Sequence, residues 1–217
     1  MQSQKNVFWE ALIIAVFIFG VGILLGLFIE NSRAAKISDL YLESEINVLD
    51  VKVQTEVLNL QDVNCDSAVK ENINFGNQIF EEARLLDDYE EASRISDTLK
   101  LQHKRYDLLR TLFWINSIKI KEKCGETFHT VIYLYDYKPS SAEEESKQEV
   151  ISRFLQDLKK QKGDNIVLIP IAKNLDLISL DLLLSDYDTS AGSLIIVDEE
   201  LVVSDLESLN EIFDYLP

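Results

Sequence analysis

Phe128-His129-Thr130-Val131-Ile132-Tyr133-Leu134-Tyr135 is the stretch on which the fold turns. It is β-branched and aromatic with no polar face, the composition of a strand covered on both sides. The residues that follow supply cover. Ser141-x-x-Glu144 is a capping box opening a helix whose apolar stripe is Val150, Ile151, Phe154, Leu155 and Leu158. Asn165 to Ile171 (NIVLIPI) reads as a second strand, Leu175 to Leu184 as a helix and Leu194 to Val197 (LIIV) as a third strand. A fourth, Leu201 to Val203, follows a turn at Asp198-Glu199-Glu200. Ser204-x-x-Glu207, a second capping box, predicts a closing helix through Leu216. Residues 125–217 are thus expected to form an α/β domain with a central mixed sheet flanked by helices.

Upstream the period is helical. Leu42, Ile46, Leu49, Val53, Val57 and Leu60 recur every three or four positions. Leu49, Val51, Val53, Thr55 and Val57 also alternate as a strand would, but a stripe of about six turns without a turn signal favours the helix. The cluster Asp62-Val63-Asn64-Cys65-Asp66 predicts a loop with a capping residue. A second helix then runs to about Asp87, with Ile73, Phe80 and Ala83 on one side. A third, from about Glu91 to Lys123, carries Leu101, Leu108, Leu112, Ile115 and Ile118 on one face and Leu99, Tyr106, Leu109 and Phe113 on the next. Lys119, Lys121 and Lys123 in its last turn suit the helix dipole, and Gly125 suits a left-handed cap. Residues 37–124 are expected to form an all-helical stalk or bundle.

The first 36 residues form a third region. Val7 to Ile29 is apolar except for Glu10 and would measure about 34 Å as a helix, against a hydrocarbon core of about 30 Å. A signal-peptide core is usually shorter, and the small-x-small site Ser32-Arg33-Ala34 is a poor one, so the stretch reads as an uncleaved transmembrane anchor. Phe8 and Trp9 would lie at the headgroups, with Arg33 and Lys36 at the far boundary. Gly22 and Gly26 form a GxxxG, a spacing that lets membrane helices approach and offers a route to a homodimer. Lys5 and the terminal amine flank one side against diluted charge on the other, and long domains translocate largely regardless of charge, which gives N-in, C-out at the cell membrane.

Charge narrows the partners. Three Lys/Arg and two Asp/Glu in residues 1–36 leave 18 against 36 in the remainder, near −18. Such a surface repels phosphate backbones, so nucleic acid is not expected as a partner. Cys65 and Cys124 are the only cysteines, placed where the ends of antiparallel helices meet. A structural disulfide in an oxidising compartment is the main reading, two free buried thiols or a redox pair the others. His103 and His129 with these cysteines lack the paired short spacing of a zinc site, so no metal is expected. The acidic clusters Glu143 to Glu145, Asp87 to Glu91 and Asp198 to Glu200 read as solvated helix starts and turns. Walker, GxSxG, HExxH and dinucleotide glycine patterns are absent, and no cofactor is expected.

A parallel strand-helix-strand unit closed by the hairpin LIIVDEELVV and a helix resembles the thioredoxin-like fold over residues 125–217. In active members a Cys-x-x-Cys sits where the first strand meets its helix, because the helix N-terminus lowers the thiol pKa. The matching stretch here, Tyr137-Lys138-Pro139-Ser140-Ser141, has no cysteine, and the family's cis-proline position, near Gly192-Ser193, has no proline. The resemblance therefore implies the fold without the redox chemistry. The expected function is a membrane-anchored tether or protein-interaction module with an unidentified protein partner. The alternative is a membrane-bound thiol oxidoreductase, or its accessory, using Cys124 and Cys65. By the same resemblance, extended polypeptide would dock on Tyr135 to Ser140 and Thr189 to Ser193, where Tyr135, Tyr137, Tyr187, Gly192 and Ser193 are the candidate contacts; docking requires Tyr137 exposed beside a groove, and the competing reading is that these tyrosines pack at the edge of the core.

Overall fold

The computed structural model describes the backbone of residues 2–60, 63–92, 96–125, 127–190 and 192–216. Within these ranges side chains are described for residues 8–29, 45–59, 63–82 and from 100 onward; Leu42, Arg33, Lys36 and the cluster Asp87 to Glu91 lie outside them. The chain divides into two compact units, Met1–Ile46 and Asn47–Pro217.

The first unit is helical, part of α1 (Gln2–Leu60). Its stretch Phe8–Ile29 has a mean hydropathy of 3.1 and none of it is buried, so it is long and apolar enough to cross a membrane. A Cβ placed on Gly22 or Gly26 would meet nothing within 4 Å, which leaves that side of the helix open.

The second unit is built around β1 (His129–Tyr135), the strand with no polar face. It pairs in parallel with β2 (Ile166–Ala172), from His129 opposite Ile166 to Tyr135 opposite Ala172. On its other side it runs antiparallel to β3 (Leu194–Val197), which pairs antiparallel with β4 (Leu201–Val203). The sheet order is β2-β1-β3-β4. Alternation sends Ile132, Leu134, Val167, Ile169, Leu194 and Ile196 into one core and Val131, Tyr133, Ile166, Leu168, Ile195 and Val197 into the other. The second core is closed by α4 (Ala142–Lys162) and α6 (Leu209–Tyr215). The first is closed by Val51 and Leu58 of α1, by α2 (Cys65–Ala92) and α3 (Ser96–Cys124), and by α5 (Ile178–Leu183).

This corrects the picture of a separate stalk. Val51, Ile79, Leu109 and Phe113 share one core with the sheet, so the helices before Gly125 are a layer of the α/β fold within the second unit. The reason is the strand itself: a sheet apolar on both faces must be covered on both, and α4 and α6 cover only one. Helix α2 comes very close to the sheet. A Cβ on Gly76 would lie 2.9 Å from Val167 Cγ1 and 3.2 Å from Phe113 Cζ.

Local signals were kept or overridden one by one. Asn64 caps α2, its Oδ1 accepting from the Ser67 N–H at 3.0 Å. Gly125 is left-handed at φ 85°, and its N–H donates to the Lys121 carbonyl at 2.8 Å. Ser141 caps α4, taking the Glu144 N–H at 3.2 Å. The second capping box fails: α6 starts only at Leu209, because Asp205 takes the Ser208 N–H at 2.8 Å and holds a turn there. Helix α5 is also shorter than expected, Asp176 standing left-handed at φ 54° just before it. On α3, Leu101 and Leu108 are exposed, while His103, Asp107, Arg110, Asn116 and Ser117 are buried.

Cys65 and Cys124 form a disulfide with Cα atoms 5.4 Å apart, tying the start of α2 to the end of α3. Replacing Gly76 with alanine is expected to cost about 1–3 kcal/mol, since the Val167 methyl and the Phe113 ring that it would meet are both buried in the core. Reducing the disulfide should cost about 4 kcal/mol by the chain-entropy argument for a loop of this length. Chemical denaturation of the full chain in detergent, with and without reductant, measures both; an unchanged midpoint would refute either.

Candidate functional site

The two ends of β1 carry different chemistry. At its N-terminal end the β3–β4 turn places Asp198 and Glu199 at φ 50° and 63°, with the Glu200 N–H closing onto the Val197 carbonyl at 3.0 Å. Two successive left-handed residues make a type I′ turn, where Asn-Gly is the usual choice and each bulkier residue costs roughly 1–2 kcal/mol. Side chains hold the strained pair. Lys121 Nζ lies 2.6 Å from Asp198 Oδ1 and 3.2 Å from Glu199 Oε2. The Thr130 N–H donates to Asp198 Oδ1 at 2.8 Å, and the indole N–H of buried Trp114 donates to Glu199 Oε1 at 2.7 Å. His129 Nδ1 is 2.6 Å from Asp198 Oδ2. The Tyr187 hydroxyl donates to the Glu199 carbonyl at 3.1 Å.

These carboxylates are therefore not a solvated turn, as the sequence alone suggests for them. Burial would push Asp198 up, but hydrogen bonds from Lys121, His129 and the Thr130 N–H, with the Lys121 charge, hold it below the usual carboxylate range. Burial would likewise lower Lys121, and its two carboxylates hold it above its usual value. The cluster is a lock on the hairpin.

At the C-terminal end of β1 lies an open cavity of about 680 Å³, lined by Tyr133, Tyr135, Tyr137, Lys138, Gln148 and Pro170 among others. Tyr133 and Tyr135 stack at 5.4 Å between centroids, and Tyr137 sits tilted over His103 at 4.5 Å. Below them His103 Nε2 is 2.7 Å from the Tyr135 hydroxyl and 3.6 Å from Asp107 Oδ2, while Arg110 donates to Asp107 Oδ1 at 3.0 Å. Burial pushes the Asp107 carboxyl up against the opposing pull of Arg110 and His103. Lys138 is left-handed, φ 55°, at the mouth of the cavity.

A polar clasp joins the two loops at this end. Ser193 donates to Glu144 Oε1 from its N–H at 2.9 Å and from its hydroxyl at 2.5 Å, linking the loop before β3 to the first turn of α4. Glu144 is held below its ordinary value: its slight burial works the other way and is outweighed by the Ser193 bonds and the Lys147 charge. Gly192, φ 82°, is required here, because a Cβ would stand 2.8 Å from Glu144 Oε2.

The candidate residues are thus divided. Tyr135, Tyr137, Gly192 and Ser193 come together at the cavity end, with Tyr135 and Tyr137 half-buried rather than exposed. The Tyr187 hydroxyl points to the opposite end of β3, into the hairpin lock. Cys65 and Cys124 line a separate pocket of about 490 Å³ with Lys70 and Thr127. His103 and His129 lie at opposite ends of β1, and no group of three metal-ligating side chains occurs among the described residues. The buried row His103, Asp107 and Arg110 escaped the sequence reading, although its i, i+4, i+7 spacing on α3 was there to be noticed.

Lys121→Met should leave Asp198 and Glu199 buried side by side and cost about 3–5 kcal/mol at neutral pH. Asp198 is lowered in the folded state, so its contribution is complete above the ordinary carboxylate range near 3.8 and is lost as pH falls through the lower folded value. The gap between wild type and variant should therefore narrow on acidification, and urea midpoints between pH 7 and about pH 3 would read it; a constant gap would overturn the lock. No protein-family model, curated protein or solved structure matches this chain.

Proposed function

We propose that the chain is a single-pass membrane protein whose α/β unit is a thioredoxin-like domain without a redox centre, serving as a tether and protein-interaction module. The observation that carries this reading is the cavity at the C-terminal end of β1, where the β1–α4 loop and the loop before β3 meet. That is where an active relative would hold its dithiol, and here Ser193 and Glu144 face each other beside three tyrosines. The parallel β1-α4-β2 unit, the antiparallel β3-β4 hairpin and the closing α6 support the fold assignment. The span Phe8–Ile29 supports anchorage, and the disulfide supports an oxidising location for residues 37–217, with the short N-terminus inside.

The cavity suits a bound side chain or a short extended segment, with the tyrosine rings giving stacking area at little entropic cost. An oxidoreductase reading would place the chemistry at Cys65 and Cys124 instead, well removed in the fold from this cavity's lining.

Two measurements separate these. The full chain in detergent should show no insulin reduction above background, and turnover abolished by Cys124→Ser would favour the oxidoreductase. A photo-crosslinking amino acid at Tyr137 should capture one discrete partner from native membranes, whereas the same probe at exposed Lys160 should not. Because Tyr137 rests on His103, Tyr137→Ala should also cost about 1 kcal/mol of stability. Capture of nothing at Tyr137, with the chain folded, would sink the interaction reading.

A further inference from the structure

The cavity opens on the edge of the sheet. β2 is the end strand beside β1, and the lining comes from both layers, Phe80 of α2 and His103 of α3 from one, Ser152 and Gln156 of α4 from the other, so the cavity wraps that strand's outer edge. The Lys173 N–H donates to the Tyr135 carbonyl at 2.9 Å. By alternation the backbone groups of Ile171, Ile169 and Val167 also face β1, and those of Ile166, Leu168, Pro170 and Ala172 face outward. Both ends of this outer row are closed. Lys159 Nζ lies 2.7 Å from the Ile166 carbonyl, and the Ala172 N–H is turned to the Asp107 carboxylate. Pro170 brings no N–H. What is left is one donor, on Leu168, and two successive acceptors, the carbonyls of Leu168 and Pro170, which meet no donor among the described residues.

Such an edge refuses an added strand, which needs donors and acceptors in alternation. It accepts a side chain that only donates. We propose that the cavity binds an arginine side chain carried by the partner polypeptide, a step that rests on the interaction reading above. Spacing selects the guanidinium. Carbonyls two residues apart on a strand stand about 6.6 Å from each other, too far for one ammonium to reach both and matched by the diverging N–H groups of a guanidinium. Tyr133, which lines the cavity, is the β1 neighbour of Pro170 and stacks on Tyr135, so an aromatic surface lies beside the two acceptors. The site's own cations are engaged or stand in solvent. Arg110 donates to Asp107 at 3.0 Å and Arg153 to Glu149 at 3.1 Å, while exposed Lys138 holds its ammonium 5.3 Å over the Tyr137 ring. That last contact is the attraction between cation and ring that an incoming guanidinium would use. From residue 37 onward 36 Asp/Glu outnumber 18 Lys/Arg, a field that draws a basic segment in.

The test titrates the full chain in detergent, by fluorescence anisotropy, with labelled peptides that are uncharged apart from one arginine, one lysine or one glutamate. The arginine peptide should bind at least about fivefold tighter than the lysine peptide and more than about tenfold tighter than the glutamate peptide. Pro170→Ala restores an N–H between the two carbonyls and should weaken the arginine peptide about fivefold with the melting transition retained. Lys138→Glu, at an exposed position, should tighten it about twofold. Arginine and lysine peptides of equal affinity, a preference for glutamate, or an arginine peptide that binds Pro170→Ala as well as wild type would overturn the proposal. If Pro170→Ala loses the fold, Lys138→Glu decides alone, and a weakened arginine peptide there overturns it. So does an arginine peptide that shows no saturable binding. When a probe at Tyr137 still captures a partner in that case, the arginine assignment falls and the interaction reading stands; when it captures nothing, both fall.

Discussion

A strand that can face water on neither side imposes the architecture of the second unit. β1 is buried from Thr130 to Leu134, and its alternate residues feed two separate cores. Burying one such side chain is worth about 1.5–3 kcal/mol, so leaving a face open would forfeit several times the margin of a single hydrogen bond. Two helices after the strand cover one side. The other has only the short α5 from the later chain and is completed from before the strand, which is why α2, α3 and the end of α1 are layers of this fold.

That constraint also sets the division of labour between the ends of β1. The N-terminal end is closed by charge: Lys121 reaches across from α3 to the hairpin turn and neutralises a strained acidic pair. The C-terminal end stays open, because the loops arriving there are held by the Ser193–Glu144 clasp at their edges and leave the rings of Tyr135 and Tyr137 facing a cavity. In open α/β sheets the crevice beyond the strand ends, where neighbouring strands part to opposite sides, is where ligands bind.

Much of this was legible in the residues. Strand periods, the Ser141 cap, the Gly125 terminus and the cysteine pairing follow from local rules, and each stands in the structure. What local rules miss is long-range polar pairing. Asp198 and Glu199 look like solvent residues until Lys121, 77 positions away in sequence from Asp198, is seen to meet them. His103, Asp107 and Arg110 carry no local sign, beyond their spacing, that they belong together, yet all three are buried beside one another and Tyr135. Ser204 looks like a helix cap by spacing, but Asp205 competes successfully for the same turn. The Gly76 approach leaves no signature beyond one glycine within a helix.

The disulfide defines a load path. Tension entering along α1 passes through the loop to Cys65, across the sulfur bridge to Cys124 and within a few residues into β1, the strand hydrogen-bonded on both sides. Helices α2 and α3 lie off that line, closed into a covalent ring. Force applied to the end of α1 would therefore reach β1 while the ring of α2 and α3 stays closed.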